Sequence, residues 1–233
     1  MSFILAKQAG LEAEFVAPNS PLPDKKVYIM PSTVGDGCLY KEYYEQLKER
    51  VYNGATLYMS NVSAFFSEFC EFTGLEIQYL EKFTGIKGEF ELDGVKIPYS
   101  YDQRRTVVPK GAKVVATDDL GNPILTEFNY GKGKVVFLNF GMEASMLTES
   151  YAFNKNRHKI YEYAFKDFIE NKKVIAKKSH ATVTIAGNTV TVLNLSNEEM
   201  DPEIILKGVE VDKVYRNALD KIPACDACIF TIK

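Results

Sequence analysis

The hydrophobic positions of this chain change period along its length. In "KKVYIMPS" and "ATLYMS" apolar residues run together, as in strands covered on both faces. Between them, "LYKEYYEQLKERVYNGA" sets Tyr40, Tyr44, Leu47 and Val51 on one helical stripe, which stops at Asn53-Gly54. The spacing predicts further helices over "VSAFFSEFCEFTG" and, at the start, over "FILAKQAGL" with Gly10 as its cap. "EAEFV" reads as a short strand and "APNSPLPD" as a loop. Strands and helices in alternation argue for a parallel sheet with helices on its faces.

The middle of the chain is different. Asp93-Gly94 in "KGEFELDGVKIPYSY" marks a hairpin. "AKVVATDDLGNPILTEFNYGKGKVVFLNF" is three β runs divided by Leu120-Gly121-Asn122-Pro123 and Tyr130-Gly131-Lys132-Gly133, which predicts antiparallel strands at the edge of the sheet. Residues 154–171 return to helical spacing, with Ile160, Tyr161, Ala164, Phe165 and Phe168 on one face. "NKKVIAKKSH" reads as a linker, and everything after it is β, beginning with a hairpin at Gly187-Asn188. The expected organisation is an α/β domain over 1–174 and a small β-sandwich over 179–233.

Composition narrows the function classes. With 233 residues, 46% hydrophobic and 25% charged, the sequence is that of an ordinary globular protein. A net charge of -3 with scattered Lys and Arg gives no basic stripe, so no nucleic-acid partner is expected. No apolar run is long enough for a membrane span, and "MSFILAKQAGLEAEF" has no signal-peptide pattern. Four cysteines do not make a disulfide framework, so a reducing, cytoplasmic setting is the default expectation.

The junction "ATLYMSNVSAFFSEF" is where an α/β enzyme would carry a nucleophile. Ser60 and Asn61 stand there, but Met59 and Val62 are bulky neighbours for a strained elbow. A triad needs a proton acceptor, and the two histidines, His158 and His180, fall in charged segments that read as surface. Ser32 and Asp36 in "PSTVGDG", and Glu143 in "NFGMEASM", follow strand ends, where such sheets bind ligands. These five residues are the pocket candidates, and no catalytic role is assigned to any. Cys225-Asp226-Ala227-Cys228 lacks the further ligands of a zinc site, and alternation makes Cys228 a core residue. Cys38, after "TVGDG", is a candidate exposed thiol. "YGKGKVV" lacks the spacing of a phosphate loop and reads as a hairpin turn. No cofactor and no metal are expected.

Three segments read together carry a resemblance: "LPDKKVYIMPS", "VYNGATLYMSN" and "GNPILTEFNYGKGKVVFLNFGME". In that order they resemble the domain of class I glutamine-amidotransferase-like, or flavodoxin-like, fold that follows the catalytic barrel in some glycoside hydrolases, such as the trimerisation domain of certain β-galactosidases. The β tail, with "VTVLNLSNEE" and "VDKVYRN", is similar to their C-terminal sandwich. The resemblance implies a mostly parallel sheet. It also implies a silent elbow, because Met59-Ser60-Asn61-Val62 stands where active amidotransferases have Cys between small residues. It further implies a barrel elsewhere in the parent protein, and a first strand absent here, leaving an open sheet position beside "EAEFV".

The expected function is therefore the non-catalytic C-terminal portion of a glycoside hydrolase, acting in oligomer assembly, active-site rim formation or carbohydrate contact. Its partners would be copies of itself or an upstream barrel, with carbohydrate as a possible ligand. Tyr99, Tyr101, Tyr151 and Phe153 are the candidate sugar-stacking rings. The alternatives are a stand-alone hydrolase or amidotransferase-like enzyme with a modified elbow, and a monomeric sugar-binding module.

Overall fold

A computed structural model describes residues 1–17, 20–33, 39–61 and 67–233; the side chains of Thr33, Asn61, Phe83, Thr84 and Arg104 also lie outside the described set. The chain gathers into two compact units, one of residues 1–2 and 15–160 and one of residues 3–14 and 161–233. Helix α1 (Ser2–Gln8) is grouped almost wholly with the second. The division of the chain at 174 and 179 remains a proposal about separable domains.

The first unit is built on a five-stranded sheet. Its strands are β1 (Val27–Thr33), β2 (Thr56–Asn61), β5 (Lys113–Thr117), β6 (Pro123–Tyr130) and β7 (Gly133–Leu138). Their order is β1-β2-β7-β6-β5, parallel from β1 to β7 and antiparallel beyond. The sheet is thus mixed. Tight turns join β5 to β6 and β6 to β7, and such short connections only allow antiparallel neighbours. β2 lies between two partners and has Leu57, Tyr58, Met59 and Ser60 fully buried, which is why it reads as an unbroken apolar run. Leu57 and Met59 point into one core with Leu47 and Val51 of α2 (Lys41–Tyr52) and Phe72 of α3 (Phe69–Thr73). Each such aliphatic side chain stabilises the fold by about 1.5–3 kcal/mol. Tyr40 is not part of the stripe: it precedes α2 and is exposed.

The Asp93-Gly94 hairpin belongs to a ribbon much longer than its sequence announces, β3 (Leu75–Leu92) with β4 (Val95–Pro109). Asp93 and Gly94 have φ of 50° and 77°, the positive pair that a two-residue turn of this hand requires. "EAEFV" forms no strand, and among the described residues β1 itself is the edge of the sheet. "YGKGKVV" is the β6–β7 turn, seated on the end of α2. Lys132 N–H donates to Tyr52 O (2.8 Å) and Lys134 N–H to Ala55 O (3.1 Å). A side chain at Gly133 would run into the carbonyl oxygens of Val51 and Ala55.

After α4 (Met142–Ser145), the last helical segment is broken in two, α5 (His158–Ala164) and α6 (Lys166–Glu170), because Phe165 leaves helical geometry at φ −114° and ψ 23°. The second unit holds an antiparallel sheet of order β12-β13-β10-β9. Its strands are β9 (Ala181–Ala186), β10 (Thr189–Asn194), β12 (Val211–Arg216) and β13 (Ala227–Ile232). A second pair, β8 (Val174–Ala176) with β11 (Ile204–Leu206), forms the other layer. Val174, Val190, Val192, Cys228, Phe230 and Ile232 are buried in one cluster with Ile204 and Leu206 packed on it, a small β-sandwich core. The stretch read as a linker therefore contributes a strand. Three apolar residues flanked by lysines are too few to show a period.

Candidate functional site

Tyr58 and Ser60 are two residues apart on β2, so their side chains leave the same face of the sheet. On that face they meet Glu143, the first-turn acid of α4, just beyond the end of β7. Tyr58 OH donates to Glu143 Oε1 at 2.8 Å, and Ser60 Oγ donates to Oε2 at 2.6 Å. From the end of β1, Ser32 Oγ donates to the same Oε2 at 2.7 Å and accepts the Ala144 N–H at 3.0 Å. Ser32 N–H donates to Ser60 Oγ at 2.6 Å. Ser32 has φ of 42°, a left-handed conformation that costs a non-glycine residue about 1–3 kcal/mol unless its surroundings impose it. Here its N–H, its Oγ and the carboxylate behind it do so.

Tyr58 and Ser60 have no solvent exposure, and Glu143 has 5%. A carboxylate this deep is tolerated only when hydrogen-bonded, and three hydroxyls supply that. The cluster ties the C-terminal ends of β1 and β2 to α4. Chemically, Ser60 beside a carboxylate is the beginning of a nucleophile and base. However, its proton is committed to Glu143, its oxygen accepts the Ser32 N–H, and no face of it is open to a substrate.

Of the five pocket candidates, the structure thus brings together Ser60, Ser32 and Glu143. Asn61 ends β2 opposite Thr33, with its side chain outside the described residues; Asp36 and Cys38 lie outside them altogether. Tyr58 was not foreseen, although its spacing of two from Ser60 on a strand was the available signal. His158 is buried (4% exposed), contrary to its surface reading. The flanking charges mislead because Arg157 is itself buried. Its guanidinium grips Glu149 with two bonds, Nη1 to Oε2 at 3.0 Å and Nη2 to Oε1 at 2.7 Å. Burial alone would raise the Glu149 carboxyl, but the hydrogen bonds from Arg157 and Lys155 outweigh it and hold the pKa below the ordinary value.

The other sequence candidates divide between packing and surface positions. Tyr99 is buried on β4 and stacks on Tyr101 with ring centres 5.4 Å apart, whereas Tyr151 is 83% exposed. Cys228 is buried and burial raises its thiol pKa, the opposite of what a reactive thiolate needs, while Cys225 is exposed. Among the described residues no cluster of His, Cys, Asp and Glu is placed to hold a metal ion, and no helix is long and apolar enough to cross a membrane.

No family model matches this sequence, and no curated protein matches it. Solved structures do match in fold. A catalytic mutant of Gan42B, a GH42 β-galactosidase from G. stearothermophilus, superposes with a TM-score of 0.64 at 14% identity, over 99% of this chain and 35% of that one. The β-galactosidase from Bacillus circulans sp. alkalophilus gives 0.64 at 16% identity, over 97% of this chain and 36% of its own. The α-L-fucosidase isoenzyme 2 from Paenibacillus thiaminolyticus gives 0.64 at 11%, over 99% and 44%. At these identities the likeness is one of fold. The chain spans about a third of the length of the β-galactosidases it matches.

Proposed function

We propose that this chain is the non-catalytic C-terminal portion of a glycoside hydrolase, its α/β part of the class I glutamine-amidotransferase-like type and its tail a small sandwich. Its role is assembly, with copies of itself and with a catalytic barrel, in a cytoplasmic enzyme. The observation that carries this reading is the coverage: 99% of the chain superposes on 35% of a multidomain β-galactosidase. The sealed Ser60 adds to it, since a hydroxyl with no exposure cannot reach a glycosidic or acyl carbon.

The purified chain should hydrolyse neither glutamine nor any of a panel of aryl glycosides, and should sediment as an oligomer. A turnover that disappears in Ser60→Ala would overturn the non-catalytic reading, and a monomer at every concentration would overturn the assembly role.

One observation favours an alternative: the Glu143 carboxylate lies within bonding distance of Ser60 Oγ. An enzyme built on that pair would need the cluster to open, and then Glu143→Gln would abolish activity along with Ser60→Ala. Carbohydrate contact remains open to the exposed Tyr151, and a saturable sugar titration that is lost in Tyr151→Ala tests it.

A further inference from the structure

Strand β3 of the ribbon is buried near both ends and exposed between them. Leu75 and Val107 are buried near its base, and Phe90, Leu92, Ile97 and Tyr99 near its turn. In the middle, four consecutive residues of β3 are exposed, among them Ile77 (37%), Tyr79 (67%) and Leu80 (43%). Among the described residues β3 pairs with β4 alone, so its other edge presents unpaired backbone groups. Apolar side chains along a free strand edge make a template for another strand.

The sequence around Tyr79 selects that strand. It reads Glu76-Ile77-Gln78-Tyr79-Leu80-Glu81-Lys82. An antiparallel copy centred on Tyr79 sets each residue opposite the one equally far on the other side. Tyr79 then faces its own copy, and Glu76 faces Lys82 at both ends of a contact about 20 Å long. A parallel copy in register would instead set Glu76 against Glu76 and Lys82 against Lys82, which is unfavourable. Lys82 has no ion-pair partner among the described residues, and Glu76 meets the half-exposed Lys110 at 3.1 Å and accepts a hydrogen bond from Gln78 Nε2 at 2.6 Å, both at the surface. The bulge between Ile77 and Tyr79 leaves Gln78 without a β4 partner and raises the local twist, which works against an open stack of strands.

We propose that a second copy of this chain pairs antiparallel with the β3 edge over residues 76–82, about a two-fold axis at Tyr79. The contact is isologous, so every interaction occurs twice. The proposal rests on the assembly reading above and gives that reading a surface.

The test is sedimentation of the full chain over a concentration series, for the wild type, Glu76→Lys, Lys82→Glu, the double variant and Tyr79→Lys. Each single charge reversal turns two attractive pairs into repulsive ones and should weaken association about tenfold. The double variant restores opposite charges across the axis and should return to the wild-type value, while Tyr79→Lys should stay weak. Amide exchange at residues 77–81 should slow as the wild type associates, a readout independent of the variants. If the wild type oligomerises but the variants and exchange are unaffected, or if the double variant is as weak as the singles, the ribbon contact is wrong and the assembly reading stands. A wild type that stays monomeric removes both.

Discussion

Ser60 Oγ lies 2.6 Å from Glu143 Oε2, with both residues buried. A serine at a strand-to-helix junction with a carboxylate in bonding range has the outline of a nucleophile and its base. What separates it from one is occupancy. The Ser32 N–H fills an acceptor site of Ser60, and Glu143 takes the proton, while Tyr58 and Ser32 complete the carboxylate's shell. The arrangement locks two strand ends, those of β1 and β2, to α4.

If the cluster is a clamp, its members should matter in proportion to the donors they leave stranded. Tyr58→Phe removes one hydroxyl and should cost about 1 kcal/mol in urea unfolding. Glu143→Ala strands the buried hydroxyls of Tyr58 and Ser60 and the half-buried one of Ser32, and should cost about 3 kcal/mol. Equal and negligible effects in both variants would show the cluster to be dispensable.

Gly133 is where the β6–β7 turn passes the end of α2, with no room for a Cβ beside the Val51 and Ala55 carbonyls. Backbone atoms cannot rotate away as a flexible side chain would. Gly133→Ala should therefore lower stability by about 2–4 kcal/mol, whereas Lys132→Ala beside it should change little. Circular-dichroism melting of the two variants compares them directly.

The Glu149 carboxyl is held below its ordinary value by Arg157 and Lys155. In the folded chain it stays ionised at a pH where the unfolded chain has taken up a proton. Its contribution is therefore complete above the unfolded value of about 4.3 and is lost as pH falls through the lower folded value. Melting temperature should fall on acidification through that window, and fall less steeply in Glu149→Gln. At neutral pH the variant should already melt lower, since Arg157 keeps its burial and loses its charged partner. Parallel melting curves from pH 7 to pH 3 in the two proteins would contradict this.

Much of the fold was legible because it lies in local patterns. β2 showed itself as an apolar run, α2 by the Tyr44–Leu47–Val51 stripe, and the turns at Asp93-Gly94 and Gly187-Asn188 by residues that accept positive φ. The illegible parts depend on partners distant in sequence. The ribbon's length was hidden because its middle is polar or exposed on both faces. "EAEFV" alternates but finds no neighbouring strand among the described residues, and Val174–Ala176 becomes a strand because Ile204–Leu206 lies beside it. At the site, Ser32, Ser60 and Glu143 each stood out by following or ending a strand, yet their convergence across 111 positions is a property of the sheet order. Arg157 and His158 read as surface because a buried ion pair has the same composition as a solvated turn.

The central claim is that Ser60 is closed to chemistry, and a serine-directed fluorophosphonate probe tests it most directly. Intact-mass spectrometry of the folded chain after prolonged incubation should show no adduct. A single adduct that maps to Ser60 and disappears in Glu143→Gln would contradict the account, because it would show that the carboxylate activates the hydroxyl it was taken to lock.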